Sequence, residues 1–226
     1  MGLRAEDIQK QYGPFTALDG VSIEVESGER VGLLGPNGSG KTTLLRILAG
    51  LTAPTAGRVT VDGEEYRPDA YEVRRKVGFV AHETMLYENL TARENLRFHA
   101  KLRAVPESRV DEVLDLVDLR HRASGLPREF SHGMQKRLSL ARTELDPPQI
   151  LLMDEPFSGL DQFSTGTVKE LLADRTALLV THELDVAHEV CTRLLIIDQG
   201  RVKAEIDAEA IEDRSALRET YREVVR

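Results

Sequence analysis

The sequence of 226 residues predicts an α/β fold: a mostly parallel sheet, an N-terminal antiparallel β subdomain and an inserted helical subdomain. Three observations lead there. Five short apolar runs, "VGLL" (31–34), "VGFV" (77–80), "ILLM" (150–153), "ALLV" (177–180) and "LLII" (194–197), are bounded by polar or glycine residues, as strands buried on both faces are. Before them Val21, Ile23 and Val25 alternate with polar residues, the pattern of a strand with one wet face. Between the second and third runs the apolar spacing changes to that of helices.

In order, the alternating strand turns at "ESGER" into "VGLL", which runs through a glycine-rich stretch into the helix "KTTLLRILAGL". "GRVTV" follows and ends at Asp62-Gly63, a strong hairpin signal, so the early strands form a small antiparallel sheet. After "VGFV", "TARENLRFHAKLRA" opens with a capping box, Thr91 and Glu94, and is expected to turn Leu96, Ala100 and Leu102 inward. "ESRVDEVLDLVDL" sets Val110, Val113, Leu114 and Val117 on one helical face. The expected organisation is one domain, 1–226, with a core of 1–82 and 146–226 and a helical subdomain of 83–145. No internal repeat or low-complexity stretch interrupts it.

Composition excludes some functions. Thirty lysines and arginines against 38 acidic residues give a formal charge of −8, the wrong balance for a broad nucleic-acid surface. The lone Cys191 cannot form an internal disulfide, which fits a reducing compartment. The longest strictly apolar run is four residues, against the roughly 20 of a membrane-spanning helix. "MGLRAE" lacks both the apolar centre of a secretory signal and the hydroxyl residue of a good myristoylation site. The expectation is a soluble, cytoplasmic chain that meets a membrane only through a partner.

The clearest motif is "GPNGSGKTT", residues 35–43, which satisfies G-x-x-x-x-G-K-[ST] between a strand and a helix. Gly35, Pro36, Asn37, Gly38, Ser39 and Gly40 curl the backbone so that N–H groups face bound phosphates, and the helix start adds positive potential. Lys41 is expected to reach the β- and γ-phosphates and the Thr42 hydroxyl to bind Mg²⁺, with Thr43 beside it. These features describe a P-loop NTPase core.

"ILLMDE" then delivers two carboxylates at the carboxyl end of a buried strand, where open α/β sheets place their ligands. Asp154 is placed to hold Mg²⁺, directly or through water, and Glu155 to deprotonate an attacking water. Two strands end in His-Glu pairs, "FVAHE" (79–83) and "LLVTHE" (178–183). Neither has a second histidine four residues on, which excludes the helical zinc-protease motif.

Tyr12, the phosphate loop, "FSHGM" (130–134), "ILLMDEP", "SGLD" (158–161) and "LLVTHE" occur in that order. Together they resemble the nucleotide-binding domain of ATP-binding-cassette (ABC) transporters over essentially the whole chain. The resemblance implies that Tyr12 stacks on adenine, with Phe15 as the rival for that role. It implies that Ser131 and Gly133, matching two positions of the family signature, contact the γ-phosphate of ATP held by a second subunit. Each active site would then need a homodimer or a heterodimer with a related ATPase. Asp161 matches the loop that communicates between the sites, and His182 the switch histidine that positions water. The stretch from Asp161 to His182 is shorter than is common in the family.

His82 stands where most members have the glutamine that senses Mg²⁺ and the attacking water, and a neutral imidazole can accept from water or ligate a metal. "AHETMLYENLTARENLRF" looks in that respect like the ATPases of the cytochrome c maturation haem exporters. The implied function is an ATP-binding, ATP-hydrolysing subunit powering a separate integral membrane subunit from the cytoplasmic face, with the haem-exporter reading resting on that one segment. Other ABC exporters of drugs, lipids or polysaccharides are the alternative, then a soluble non-transport ABC ATPase.

Overall fold

The computed structural model describes residues 2–66, 71–211 and 213–225. The chain opens with two long antiparallel strands, β1 (Gly2–Tyr12) and β2 (Phe15–Glu26). Strand β3 (Arg30–Leu34) leads through the glycine-rich loop into helix α1 (Lys41–Leu48). Strands β4 (Ala56–Val61) and β5 (Glu64–Glu65) follow, then α2 (Tyr71–Arg75) and β6 (Val77–Val80). Three helices come next: α3 (Ala92–Leu102), α4 (Ser108–Leu116) and α5 (His132–Glu144). The chain then alternates β7 (Ile150–Asp154), α6 (Gln162–Leu172), β8 (Thr176–Val180), α7 (Leu184–Val190) and β9 (Arg193–Asp198). It closes with β10 (Arg201–Asp207) and α8 (Arg214–Val224).

Two sheets result. One is antiparallel, in the order β2-β1-β4-β5. The other has the order β10-β9-β3-β8-β7-β6, with β9 through β6 mutually parallel and β10 antiparallel at one edge. The five apolar runs of the sequence supply its five parallel strands. Asp62 and Gly63 both adopt positive φ, 54° and 80°, in the two-residue turn between β4 and β5.

Alternate residues of the parallel strands enter different cores. Val31, Leu33, Ile150, Leu152, Leu178, Val180, Leu195 and Ile197 pack towards α1 and the antiparallel sheet, with Leu3, Ile8, Val21 and Val25. Leu34, Leu151, Met153, Ala177, Leu179, Leu194 and Ile196 face the opposite way, with Val168 of α6, Ala187 of α7 and Leu217 of α8. Both faces are covered, so the strands read as continuous apolar runs. Cys191 belongs to the second core, where burial pushes its thiol up to about 12; a Cβ on Gly32 would lie 3.0 Å from its sulfur. It is a packing residue.

The helices of 92–145 bury a third cluster of their own, in which Leu96, Val110, Val113, Leu114, Val117 and Leu138 are fully enclosed. The capping box at Thr91 forms as expected: Glu94 N donates to Thr91 Oγ1 and Thr91 N donates to Glu94 Oε2. Leu102 corrects the inward stripe. It is 65% exposed, because it lies two residues, some 200° of helical turn, from the buried Ala100.

Three elements carried no clear sequence signal. In β1 the apolar alternation Leu3, Ala5 is broken before Ile8, where Asp7 at φ 49° marks a shift of register against β2. Strand β10 is only half covered, and α8 presents a single fully buried residue, Leu217.

Leu114→Ala is expected to lower unfolding free energy by about 2–5 kcal/mol, and Leu102→Ala by less than about 0.5 kcal/mol, as read by chemical denaturation. Equal effects would contradict the burial assigned to α3 and α4.

Candidate functional site

Strand β3 ends at Leu34 and the chain then loops back on itself before α1. Gly35 and Gly40 have no room for a side chain: a Cβ would lie 2.1 Å from the Ile197 carbonyl oxygen and 2.6 Å from that of Ala17. Gly38 and Gly40 also sit at φ 80° and 105°, conformations that side chains resist. The loop is tied from outside by Gly200 N, which donates to the Ser39 carbonyl at 3.0 Å. No side chain caps α1, so the N–H groups of its first turn are available to an anion.

Lys41 is the first residue of that helix. Its buried ammonium donates to the carbonyls of Gly35 and Pro36, both at 2.8 Å. Burial holds its pKa below the ordinary lysine value, and the charges of Glu155 and Asp154 act against that fall. Ser39 Oγ is buried with no hydrogen-bond partner in the protein, so a polar ligand in the loop would satisfy it.

Asp154 is the last residue of β7 and is 8% exposed. Burial pushes its carboxyl up and Glu155 adds to the rise, while a hydrogen bond with Thr42 and the charges of His82 and Lys41 oppose it. Glu155 follows at φ 50°, its N–H donating to the Val180 carbonyl at 2.9 Å. His182 Nδ1 lies 2.9 Å from Glu155 Oε1, while Oε2 is buried with no protein partner. The Glu155 carbonyl accepts from the ammonium of Lys136, a buried residue of α5. Burial lowers the Lys136 pKa, with Glu155, Asp154 and Glu183 acting in the other direction. Lys136 was not signalled by sequence; its only cue is its place five residues after Ser131.

These residues line one cleft of about 590 Å³, which gathers Lys41, Thr42, Asp154, Glu155, His182 and His82. Asn37, Gly38, Gly40 and Thr43 of the loop line it as well. Phe15, 59% exposed at the start of β2, forms part of the same wall. Tyr12 pairs with Phe15 across the hairpin end but does not line the cleft; its ring carries the Lys10 ammonium 5.0 Å from the centroid.

Ser131, Gly133 and Asp161 are brought to one another and not to the cleft. Ser131 caps α5, its Oγ accepting from Met134 N at 3.3 Å. Asp161 caps α6, accepting from Ser164 N at 2.7 Å, a bond that holds its carboxyl below the usual range. A Cβ on Gly133 would lie 2.6 Å from Ser164 Oγ, so the two helix starts touch only because residue 133 is glycine.

The fold and the cleft are those of a phosphate-loop nucleotide-binding cassette. Residues 18–158 match the family model described as ABC transporter. The chain is 39% identical over 217 residues to the sulfate/thiosulfate import ATP-binding protein CysA of Bradyrhizobium diazoefficiens, covering 90% of this chain and 63% of that protein. It is 34% identical to the bacitracin transport ATP-binding protein BcrA of Bacillus licheniformis, covering 94% and 72%. A solved ATP-binding subunit of an ABC transporter superposes with TM-score 0.88 at 30% identity, covering all of both chains. The dimeric structure of a bacterial ABC transporter cassette gives TM-score 0.83, also at 30% identity, covering 91% of this chain and 98% of that one. The chain therefore belongs to the ABC transporter ATP-binding family. It spans less than two thirds of the length of the sulfate relative.

A carboxyl whose folded pKa lies above its ordinary 3.8 opposes folding when ionised. The penalty is absent below the unfolded value and complete above the folded one. Asp154→Asn is thus expected to raise the melting temperature of the nucleotide-free protein at neutral pH, with the gain fading as pH falls into the carboxylate range. Differential scanning fluorimetry across pH checks the sign.

Proposed function

We propose that this chain is the ATP-hydrolysing subunit of an ABC transporter, acting on a separate membrane-spanning subunit from the cytoplasmic face. The observation that carries the reading is the Glu155 carboxylate. One oxygen is held by His182 and the other is buried and unpaired, beside Lys41 and Asp154 in the same cleft.

The chain's own residues divide the work. The uncapped start of α1 and the glycine loop take the phosphates, and Lys41 exchanges the Gly35 and Pro36 carbonyls for phosphate oxygens. Phe15, at the cleft wall, stacks on the base, the place the sequence offered first to Tyr12. Glu155 Oε2 accepts the proton of the attacking water, while His182 fixes the carboxylate through Oε1.

Thr42 and Asp154 are hard oxygen ligands joined by a hydrogen bond, a pair that suits Mg²⁺, and His82 lines the same cleft. Among the described residues no group of three or more His, Cys, Asp or Glu could hold a metal ion. Mg²⁺ held by Thr42 and Asp154 would neutralise charge on the transferring phosphoryl group. Asp161, Ser131 and Gly133 lie together outside the cleft, which supports their serving the nucleotide of a second cassette, identical or related.

Among the described residues no helix is long and apolar enough to cross a membrane. The transporter reading gives the membrane step to a partner. The helical block of 83–145 is its seat. Cargo is a separate matter. Similar relatives are named for sulfate/thiosulfate import, bacitracin transport and Nod factor export, so neither direction nor solute follows from the cassette. The haem-exporter likeness rests on the His82 segment, and none of the relatives named here carries that label.

Glu155→Gln is expected to bind ATP, to lower phosphate release by about 10²–10⁴-fold, and to accumulate a closed dimer. Wild-type release by this variant would remove Glu155 as the base. In titrations with ATP, Phe15→Ala is expected to raise Kd by about 5- to 150-fold, the value of one stacking contact, while Tyr12→Ala stays within about twofold.

A further inference from the structure

Glu155 holds a backbone conformation that its local sequence resists. Its φ is 50°, in the left-handed region that a residue with a side chain adopts only under constraint. Pro156 follows it, and a proline ring pushes the preceding residue towards extended backbone. Among the described non-glycine residues with positive φ, Glu155 alone precedes a proline.

Such a conformation persists where the surroundings over-determine it, and here the constraint is on both backbone groups of residue 155. The N–H donates to the Val180 carbonyl at the end of β8, at 2.9 Å. The carbonyl accepts from the Lys136 ammonium of α5. Among the described residues the one other donor to that carbonyl is Ser158 N, at a long 3.4 Å. Lys136 is therefore the main hold on the peptide that joins Glu155 to Pro156.

Lys136 is placed for that contact. It is 4% exposed, and among the described residues its three N–H donors make this one hydrogen bond. It is not one of the residues that line the cleft. Helix α5 is anchored without it: Leu140 packs in the core that holds Met153 of β7, and Leu138 and Ala141 pack in the helical cluster. A buried ammonium is a poor way to join elements that apolar side chains already join. Its charge is explained by the carbonyl it holds.

The direction of the carboxylate follows from the same backbone. The present φ sets Glu155 Oε1 2.9 Å from His182 Nδ1 and leaves Oε2 buried with no protein partner. A change of φ towards the extended region that Pro156 favours would turn the side chain about the N–Cα bond and away from His182.

We propose that Lys136 is a positioning residue for ATP hydrolysis: by holding the Glu155 carbonyl it keeps that backbone left-handed and Oε2 aimed at the attacking water. The inference rests on the reading of Glu155 as the base and names what holds that base in place. Lys136 acts through Glu155 and touches neither water nor nucleotide.

The test measures single-turnover phosphate release and ATP Kd of the full chain with Mg²⁺ and ATP. Lys136→Met removes the donor and keeps a side chain of similar length. It is expected to lower the rate about 10- to 100-fold, the loss that follows a small displacement of a reacting group, and to leave Kd within about twofold. Lys136→Gln keeps an N–H donor without the charge and is expected to exceed Lys136→Met by about threefold or more. In a Glu155→Gln chain no carboxylate remains to be aimed, so adding Lys136→Met is expected to change the residual rate by less than about twofold. A tie that served packing alone would lower the rate equally in both backgrounds. The proposal is overturned by an undiminished rate in Lys136→Met, a loss expressed in Kd, a full loss in the Glu155→Gln background, or no recovery in Lys136→Gln. Should Lys136→Met lack a cooperative melting transition, Lys136→Ala takes its place in each comparison. Added ethylammonium is then expected to raise its rate by about threefold or more, and no rise overturns the proposal. If Glu155→Gln alone releases phosphate at the wild-type rate, the base assignment itself fails. If Glu155→Gln is slow while Lys136→Met is not, only the role given to Lys136 fails.

Discussion

Strands β3, β8, β7 and β6 lie side by side in that order, and their lateral hydrogen bonds decide where the residues of the cleft sit. All four run the same way, so their carboxyl ends open at one edge of the sheet. The first ends in the glycine loop, the second two residues before His182, the third in Asp154 and the fourth two residues before His82. Parallel neighbours are about 4.8 Å apart, which puts groups from sequence positions as distant as 41 and 182 within reach of one nucleotide. A slip of one residue in any pair would turn its terminal side chain to the wrong face.

The sheet can hold this arrangement because both its faces are buried, and the cleft charges it accordingly. Lys41, Asp154 and Lys136 are all buried polar groups whose ionisation is disfavoured by that burial. They hold one another in balance: each lysine feels both carboxylates, and Lys136 also ties the Glu155 backbone to α5. Ser39 Oγ and Glu155 Oε2 stay unsatisfied.

Helix α5 connects what the sheet leaves apart. Its start, at Ser131 and Gly133, touches the start of α6; its middle holds Glu155 through Lys136; its end holds the loop after His82 through Arg142. One helix of 13 residues thus contacts the start of α6, the backbone of Glu155 and the loop after His82.

The sequence by itself determined the five parallel strands and the glycine loop. Apolar runs bounded by polar residues can be read without three-dimensional information because a strand buried on both faces tolerates nothing else, and the glycine loop because only glycine fits beside the Ile197 and Ala17 carbonyls. Where local pattern and burial parted, the sequence was mute or misleading. The bulge at Asp7 hid β1, and Leu102 followed an apolar stripe that the helix turned outward. Only the tertiary structure decided which aromatic lines the cleft and that Lys136 holds the Glu155 carbonyl. Each of these depends on residues far apart in the chain meeting across packed elements, and pairwise distance of that kind leaves no periodicity for a single sequence to display.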